Sequence, residues 1–199
     1  QAVRGFFDNG GEVAFVVNVN DGGLVTPDSF IGAKGSAPRG LRALDDVPEV
    51  DLVAMPDLMA CYMKEPGFET LDVLHAVQRA LVDHCESHRD RFAILDPPPR
   101  LDLDDVVAYR RRFDTSYGAL YYPYVVPRLG EEAGPPIPPS GHVAGLIAKV
   151  DREQGVHRAP ANLPLSSIVD VETFIHKRER DILFDNRING IHAFPARGL

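Results

Sequence analysis

The sequence predicts an α/β domain of three layers, a mostly parallel sheet flanked by helices. Short apolar runs bounded by turn residues alternate along the chain with longer stretches whose apolar residues recur at helical spacing. Strands separated by helices join most simply as parallel neighbours, covered on both faces. Size agrees: 199 residues with 44% hydrophobic content suffice for a buried core, and a single domain over residues 1–199 is expected.

The elements follow in order. Glu12 to Val19 is rich in valine, ends at the turn signal Asn20-Asp21-Gly22-Gly23 and reads as a strand. Gly22 to Gly40, rich in Gly, Ser, Pro and Ala, reads as a loop. Asp51 to Met55 and Arg91 to Leu95 are further strands, the second closed by Pro97-Pro98-Pro99. Between them, Thr70 is placed to cap a helix with the apolar stripe Leu71, Leu74, Val77, Leu81 and Cys85. Asp102 to Phe113 is a second helix, Tyr117 to Val126 an aromatic strand, and the proline-rich Gly130 to Pro139 a loop. Ser140 to Gln154 and Val171 to Phe184 are the third and fourth helices, and Ile191 to Phe194 a closing strand.

Composition excludes several classes of partner. The net charge is −8, and the longest basic run, Arg110-Arg111-Arg112, suits a solvated helix face, so nucleic acid has no electrostatic footprint. No stretch reaches the roughly 18 apolar residues of a membrane span, and no basic segment followed by an apolar signal core opens the chain. Membrane insertion is therefore not expected. Cys61 and Cys85 stand in unlike contexts and read as free thiols of a reducing compartment.

Three groupings invite chemistry. His84 and His88 have the i, i+4 spacing of a helical metal pair. No third ligand stands at a characteristic spacing, so a solvated helix end favourable to the macrodipole is expected. Asp96 ends a strand, where α/β enzymes place catalytic acids, but the three prolines after it fit a rigid turn equally well. Gly32 to Gly40 matches neither a P-loop nor a dinucleotide fingerprint. No cofactor and no metal is expected.

Pro138 to Asn162 is the most informative segment. Ser140 reads as an N-cap after the extended Pro138-Pro139 pair. Gly141 and Gly145, one turn apart, strip side chain from one helix face, as if it lay close against something flat, and Val143, Leu146, Ile147 and Val150 form an apolar stripe. The segment resembles the serine-bearing helix of subtilisin-type proteases. Such enzymes place their aspartate in an Asp-Ser/Thr-Gly context and their histidine in a His-Gly-Thr context. Neither occurs: Asp51 and Asp57 lack the glycine, and His75, His84 and His88 share one helix. The resemblance implies the scaffold without the triad, and no catalytic residue is assigned.

Three blocks in order, Gly5-Phe6-Phe7-Asp8-Asn9-Gly10-Gly11 with the valine run after it, Pro138 to Asn162, and Asp185 to Gly198, resemble the contractile tail sheath proteins of phages and phage-derived injection particles. The structural residues singled out on this basis are Phe6, Phe7, Asn9, Gly10, Gly11, Ser140, Gly141, Gly145, Pro160, Asn162, Asn186, Asn189 and Arg197. The resemblance implies that Asn162, Asn186, Asn189 and Arg197 satisfy loop backbone at the sheet edge. The resemblance implies a non-enzymatic subunit that polymerises with itself in stacked rings around an inner tail tube protein. It further implies contacts with baseplate and terminator proteins, in a particle assembled in the bacterial cytoplasm. It also implies that the chain is a core fragment lacking the family's N-terminal arm and tube-facing C-terminal domain. Two alternatives stand beside it, a serine hydrolase on the same scaffold and a non-polymerising α/β binding module.

Overall fold

A computed structural model describes residues 1–20, 22–32, 38–62 and 64–193. Its centre is a sheet of four strands, β1 (Leu52–Ala54), β2 (Phe92–Leu95), β3 (Gly118–Tyr122) and β7 (Ile188–Gly190), in that spatial order and parallel at every pairing. Val53 stands opposite Ala93, Ile94 opposite Ala119, and Leu120 opposite Ile188. Parallel neighbours need long crossovers, and the helices supply them.

The longest helix, α4 (Leu71–His88), connects β1 to β2 and forms where the sequence signals it. Thr70 Oγ1 accepts from the Val73 N–H at 3.3 Å, and Arg89 ends the helix in the left-handed region at φ 63°. Of its buried stripe, Leu81 and Cys85 cover one face of the sheet, while Leu74 and Val77 join a second cluster with Phe30, Leu58 and Phe68, each buried leucine contributing about 2 kcal/mol. Helix α5 (Leu103–Arg110) follows β2, with Asp102 Oδ1 accepting from the Asp105 N–H at 2.9 Å. Leu81 and Cys85 of α4, Ala93 and Leu95 of β2, Val106 and Val107 of α5, and Leu183 of α7 (Lys177–Asp185) share one core cluster. The alternate residue Ile94 faces the opposite side, where Gly141, Ala144 and Ala148 of α6 (Ser140–Gln154) stand. Helix α1 (Ala2–Asp8) lies along α6, and the three expected layers are present.

Several boundaries differ from expectation. Tyr117 to Val126 is two strands in two sheets. After Tyr122 the chain leaves the parallel sheet at Pro123, which has no N–H to give a ladder. It continues as β4 (Val125–Leu129), antiparallel to β5 (Glu132–Ala133) and to β6 (Ile168–Val171). Val171 pairs with Val125 and so belongs to a strand. The fourth helix therefore starts only at Lys177, where the Glu179 carboxylate accepts from the His176 N–H at 2.7 Å. The closing strand lies at Ile188–Gly190, ahead of the expected Ile191 to Phe194, and Phe194 is outside the described residues. Within the expected loop from Gly22 to Gly40, Pro27–Ile31 forms the short helix α2, and a 3-10 helix follows at Gly40–Leu44. A further short helix, α3 (Pro56–Cys61), follows β1.

The largest departure is Glu12 to Val19. Among the described residues it joins no ladder, and Val13, Phe15 and Val16 are 71%, 50% and 72% exposed. The alternation suits a strand, but the segment lines, together with β1, an open cavity of about 550 Å³, with Val17 and Val19 packed inward against the core.

Candidate functional site

Most of the residues singled out from the sequence converge on the seam between α1 and α6. A Cβ added at Gly141 would collide with the Ala2 carbonyl, one at Gly145 with the Phe6 carbonyl, and one at Gly5 with the His142 ring. The two helices therefore meet backbone to backbone, which side chains larger than hydrogen forbid. The glycine face, expected against a flat surface such as the sheet, is instead packed on α1.

The turn after α1 is locked to both sides. Asn9 is buried; its Nδ2 donates to the Gly5 carbonyl at 2.8 Å and to the Ser166 carbonyl at 3.3 Å, while its Oδ1 accepts from the Ser166 N–H at 2.8 Å. Gly10 turns the chain at φ +101°, and its carbonyl accepts from Arg152 Nη1 of α6 at 2.9 Å. Gly11 packs under the Phe6 ring, where a Cβ has no room. Phe7 meets Phe6 edge-on at 5.2 Å between ring centroids and is 47% exposed.

The other singled-out residues lie elsewhere. Pro160 and Asn162 sit in the loop leading from α6 to Ser166. Asn162 is exposed at φ 59°, and its side chain makes no hydrogen bond among the described residues, so its fit is conformational: asparagine tolerates the left-handed region. That corrects the expectation of an amide holding loop backbone there. Asn186 and Asn189 stand at the far edge of the sheet. Asn186 Nδ2 donates to the Ile182 carbonyl at 2.9 Å and its Oδ1 accepts from Arg111 at 3.1 Å, while Asn189 Nδ2 donates to the Leu120 carbonyl at 3.3 Å. Arg197 lies outside the described residues.

Ser140 is not the expected cap. Pro139 takes the N-cap position and Ser140 is the first helical residue, fully buried. Its N–H donates to Asp96 Oδ1 at 3.1 Å, so the end of β2 caps α6 from a distance. The Ser140 hydroxyl lies near the same carboxyl and eases its charge, yet forms no well-aligned hydrogen bond. Burial pushes the Asp96 carboxyl up to about 7 against the pull of both Ser140 groups. Around it, Gln78 Nε2 donates to the Asp96 carbonyl at 2.7 Å, the Tyr109 hydroxyl donates to Gln78 Oε1 at 3.0 Å, and the Tyr124 hydroxyl donates to the Pro97 carbonyl at 3.0 Å. Sequence reasoning marked Asp96 as a strand end; its partner, 44 residues away, left no local signal. No described histidine hydrogen-bonds the serine. His142, two residues on, packs against Gly5 with Nδ1 unpartnered, and burial lowers its pKa. A buried hydroxyl without a base is not an activated nucleophile.

The histidine pair is also not a solvated helix end. His84 is 8% exposed, and desolvation lowers its pKa to about 4, helped by His88 and Arg91. Arg91 Nη1 donates to His84 Nε2 at 3.1 Å and to the Leu44 carbonyl at 2.9 Å. Asp45, just past the 3-10 helix, brings Oδ1 to 3.4 Å from His84 Nδ1 and 3.7 Å from His88 Nε2. This third group is distant in sequence and was missed for that reason.

The fold has close counterparts. A chain of the anti-feeding prophage baseplate superposes with a TM-score of 0.67 at 26% identity, covering 100% of this chain and 47% of that one. The anti-feeding prophage helical sheath in its contracted state gives 0.65 at 26% identity, with 99% and 48% covered. The contracted sheath complex of the extracellular contractile injection system PVC gives 0.63 at 22% identity, a likeness of fold, over 99% and 46%. The chain thus spans about half the length of these structures. No curated protein matches it. Residues 50–199, most of the chain, match the family described as the phage tail sheath protein central domain, and the chain belongs to the phage tail sheath protein family.

Proposed function

We propose that this chain is the rigid central body of a contractile sheath subunit, which associates with further copies of itself and with a baseplate in a tail-like particle. The observation that carries this reading is the valine-rich segment from Glu12 to Val19. Val13, Phe15 and Val16 lie open to solvent near β1, which ends the parallel sheet among the described residues, while Val17 and Val19 turn inward against the core. An unpaired strand edge next to exposed apolar surface is the arrangement that strand addition from a neighbouring copy would cover. Family membership and the likeness to the anti-feeding prophage sheath support the same reading.

In this account the inner tube and a terminator are further partners, and the particle is a phage tail or an injection device assembled in the bacterial cytoplasm. The subunit works by re-packing as a rigid body, and the protein is not an enzyme; the buried, baseless Ser140 supports that. The test is negative-stain microscopy of the full-length gene product. Long striped tubes are expected from the parent protein, and dispersed particles with unchanged circular dichroism from Val13→Asp with Phe15→Asp. A parent that never forms tubes, alone or with its baseplate, overturns the proposal.

A further inference from the structure

We propose that Asp45, His84 and His88 form a zinc site that fastens the turn after the 3-10 helix to the C-terminal end of α4. The inference rests on this side-chain cluster and is independent of sheath assembly. The three donor atoms lie within 4.8 Å of one another. Zinc holding nitrogen and oxygen ligands at about 2.0–2.1 Å and tetrahedral angles places neighbouring ligands about 3.4 Å apart. Asp45 Oδ1 stands 3.4 Å from His84 Nδ1 and 3.7 Å from His88 Nε2. Two imidazoles and a carboxylate suit zinc, and Asp45, with its side chain 45% exposed, leaves the fourth position to water.

The hydrogen bonds dictate where the lone pairs point. A carbonyl only accepts, so His88 Nδ1, 2.9 Å from the His84 carbonyl, carries a proton. This is how metal-bound histidines are commonly oriented, and it leaves the His88 Nε2 lone pair facing the Asp45 carboxylate. Two electron-rich atoms face each other at that point, and the pair is satisfied only by a positive charge between them, a proton or a metal ion.

His84 requires an adjustment. Arginine only donates, so Arg91 Nη1 at 3.1 Å fixes the acceptor at His84 Nε2 and the proton at Nδ1, toward Asp45. Zinc at Nδ1 moves that proton to Nε2 and breaks the Arg91 contact; Arg91 retains the Leu44 carbonyl at 2.9 Å and Asp90 at 2.8 Å. The cost of that exchange makes the site weaker than a pre-oriented triad.

The test is calorimetric titration of the chelator-treated chain with zinc chloride at neutral pH, with the melting temperature followed in parallel. One zinc per chain is expected, with a rise in melting temperature that EDTA reverses. Asp45→Asn and His88→Ala, both at positions with solvent access, should each weaken binding by about tenfold or more and abolish the thermal shift. Absence of uptake overturns the proposal and leaves a proton as the shared charge. Uptake unchanged in both variants overturns it as well, because the ion then sits elsewhere, as at Cys61.

Discussion

Asn9 and Ser166 are joined by a two-way hydrogen bond between one side-chain amide and the backbone N–H and carbonyl of one residue, 157 positions apart. The Asn9 side chain presents to Ser166 the donor and acceptor that a neighbouring strand would present. It thereby fixes the first turn of the chain to the loop between α6 and β6 without a ladder.

Asn9→Ala leaves the Ser166 N–H and carbonyl without their partner in a partly buried place and takes from the Gly5 carbonyl one of its two donors, the Asn9 backbone N–H remaining. A loss of about 1–3 kcal/mol is expected, read from urea unfolding, with faster exchange of the Ser166 amide hydrogen. Asn9→Asp should recover only part of this, because its carboxylate still accepts from Ser166 but has nothing to give the Gly5 and Ser166 carbonyls. A variant as stable as the parent would mean that water serves these groups equally well.

Gly145→Leu tests the backbone contact between α1 and α6. Leucine is the better helix former by about 0.8 kcal/mol in isolation. In the protein any Cβ meets the Phe6 carbonyl, and a net destabilisation of about 1–3 kcal/mol is expected from the forced separation. An unchanged melting temperature would show that α1 leaves α6 without cost.

What could be read in advance follows from the range of the forces involved. Helices α4 and α6 were legible because Leu74, Val77 and Leu81, or Val143, Leu146 and Val150, repeat at a period the chain itself defines. The breadth of Tyr117 to Val126 was misread because membership of a sheet is decided by partners. Leu120 pairs with Ile188, and Val125 with Val171, and no local pattern separates the two. The same holds at the seam. The glycines announced a close approach, but α1 as the surface approached, Asp96 as the distant cap of Ser140, and Asp45 as the third member of the histidine cluster are all long-range facts.

Ser140→Ala addresses the scaffold's likeness to a serine enzyme. Because the hydroxyl caps nothing and has no well-formed hydrogen bond, removing it should cost less than the roughly 1 kcal/mol typical of a lost N-cap. A fluorophosphonate probe should leave the parent chain unlabelled. Covalent labelling at Ser140 would mean that a base reaches it, and the structural reading of this residue would fall.

Asp96→Asn should remove a pH dependence of stability. The carboxyl is raised from an ordinary 3.8 to about 7 in the folded chain, chiefly by burial. Between these values the unfolded chain gives up a proton that the folded chain keeps, so the contribution of Asp96 is fully present below about pH 4 and is lost as pH rises toward 7. Above that it stays lost, because the folded protein then holds a buried carboxylate. Asparagine keeps an oxygen for the Ser140 N–H, and its amide can donate to the Ser140 hydroxyl, which now lacks a partner. The variant should therefore match the parent near pH 4 and exceed it at pH 8, with the difference in melting temperature growing across that interval. His84, whose pKa burial lowers to about 4, destabilises both proteins alike in acid and cancels from the comparison. A difference that stays flat with pH would show that Asp96 is ionised throughout, held by the N-terminus of α6 more strongly than burial opposes it.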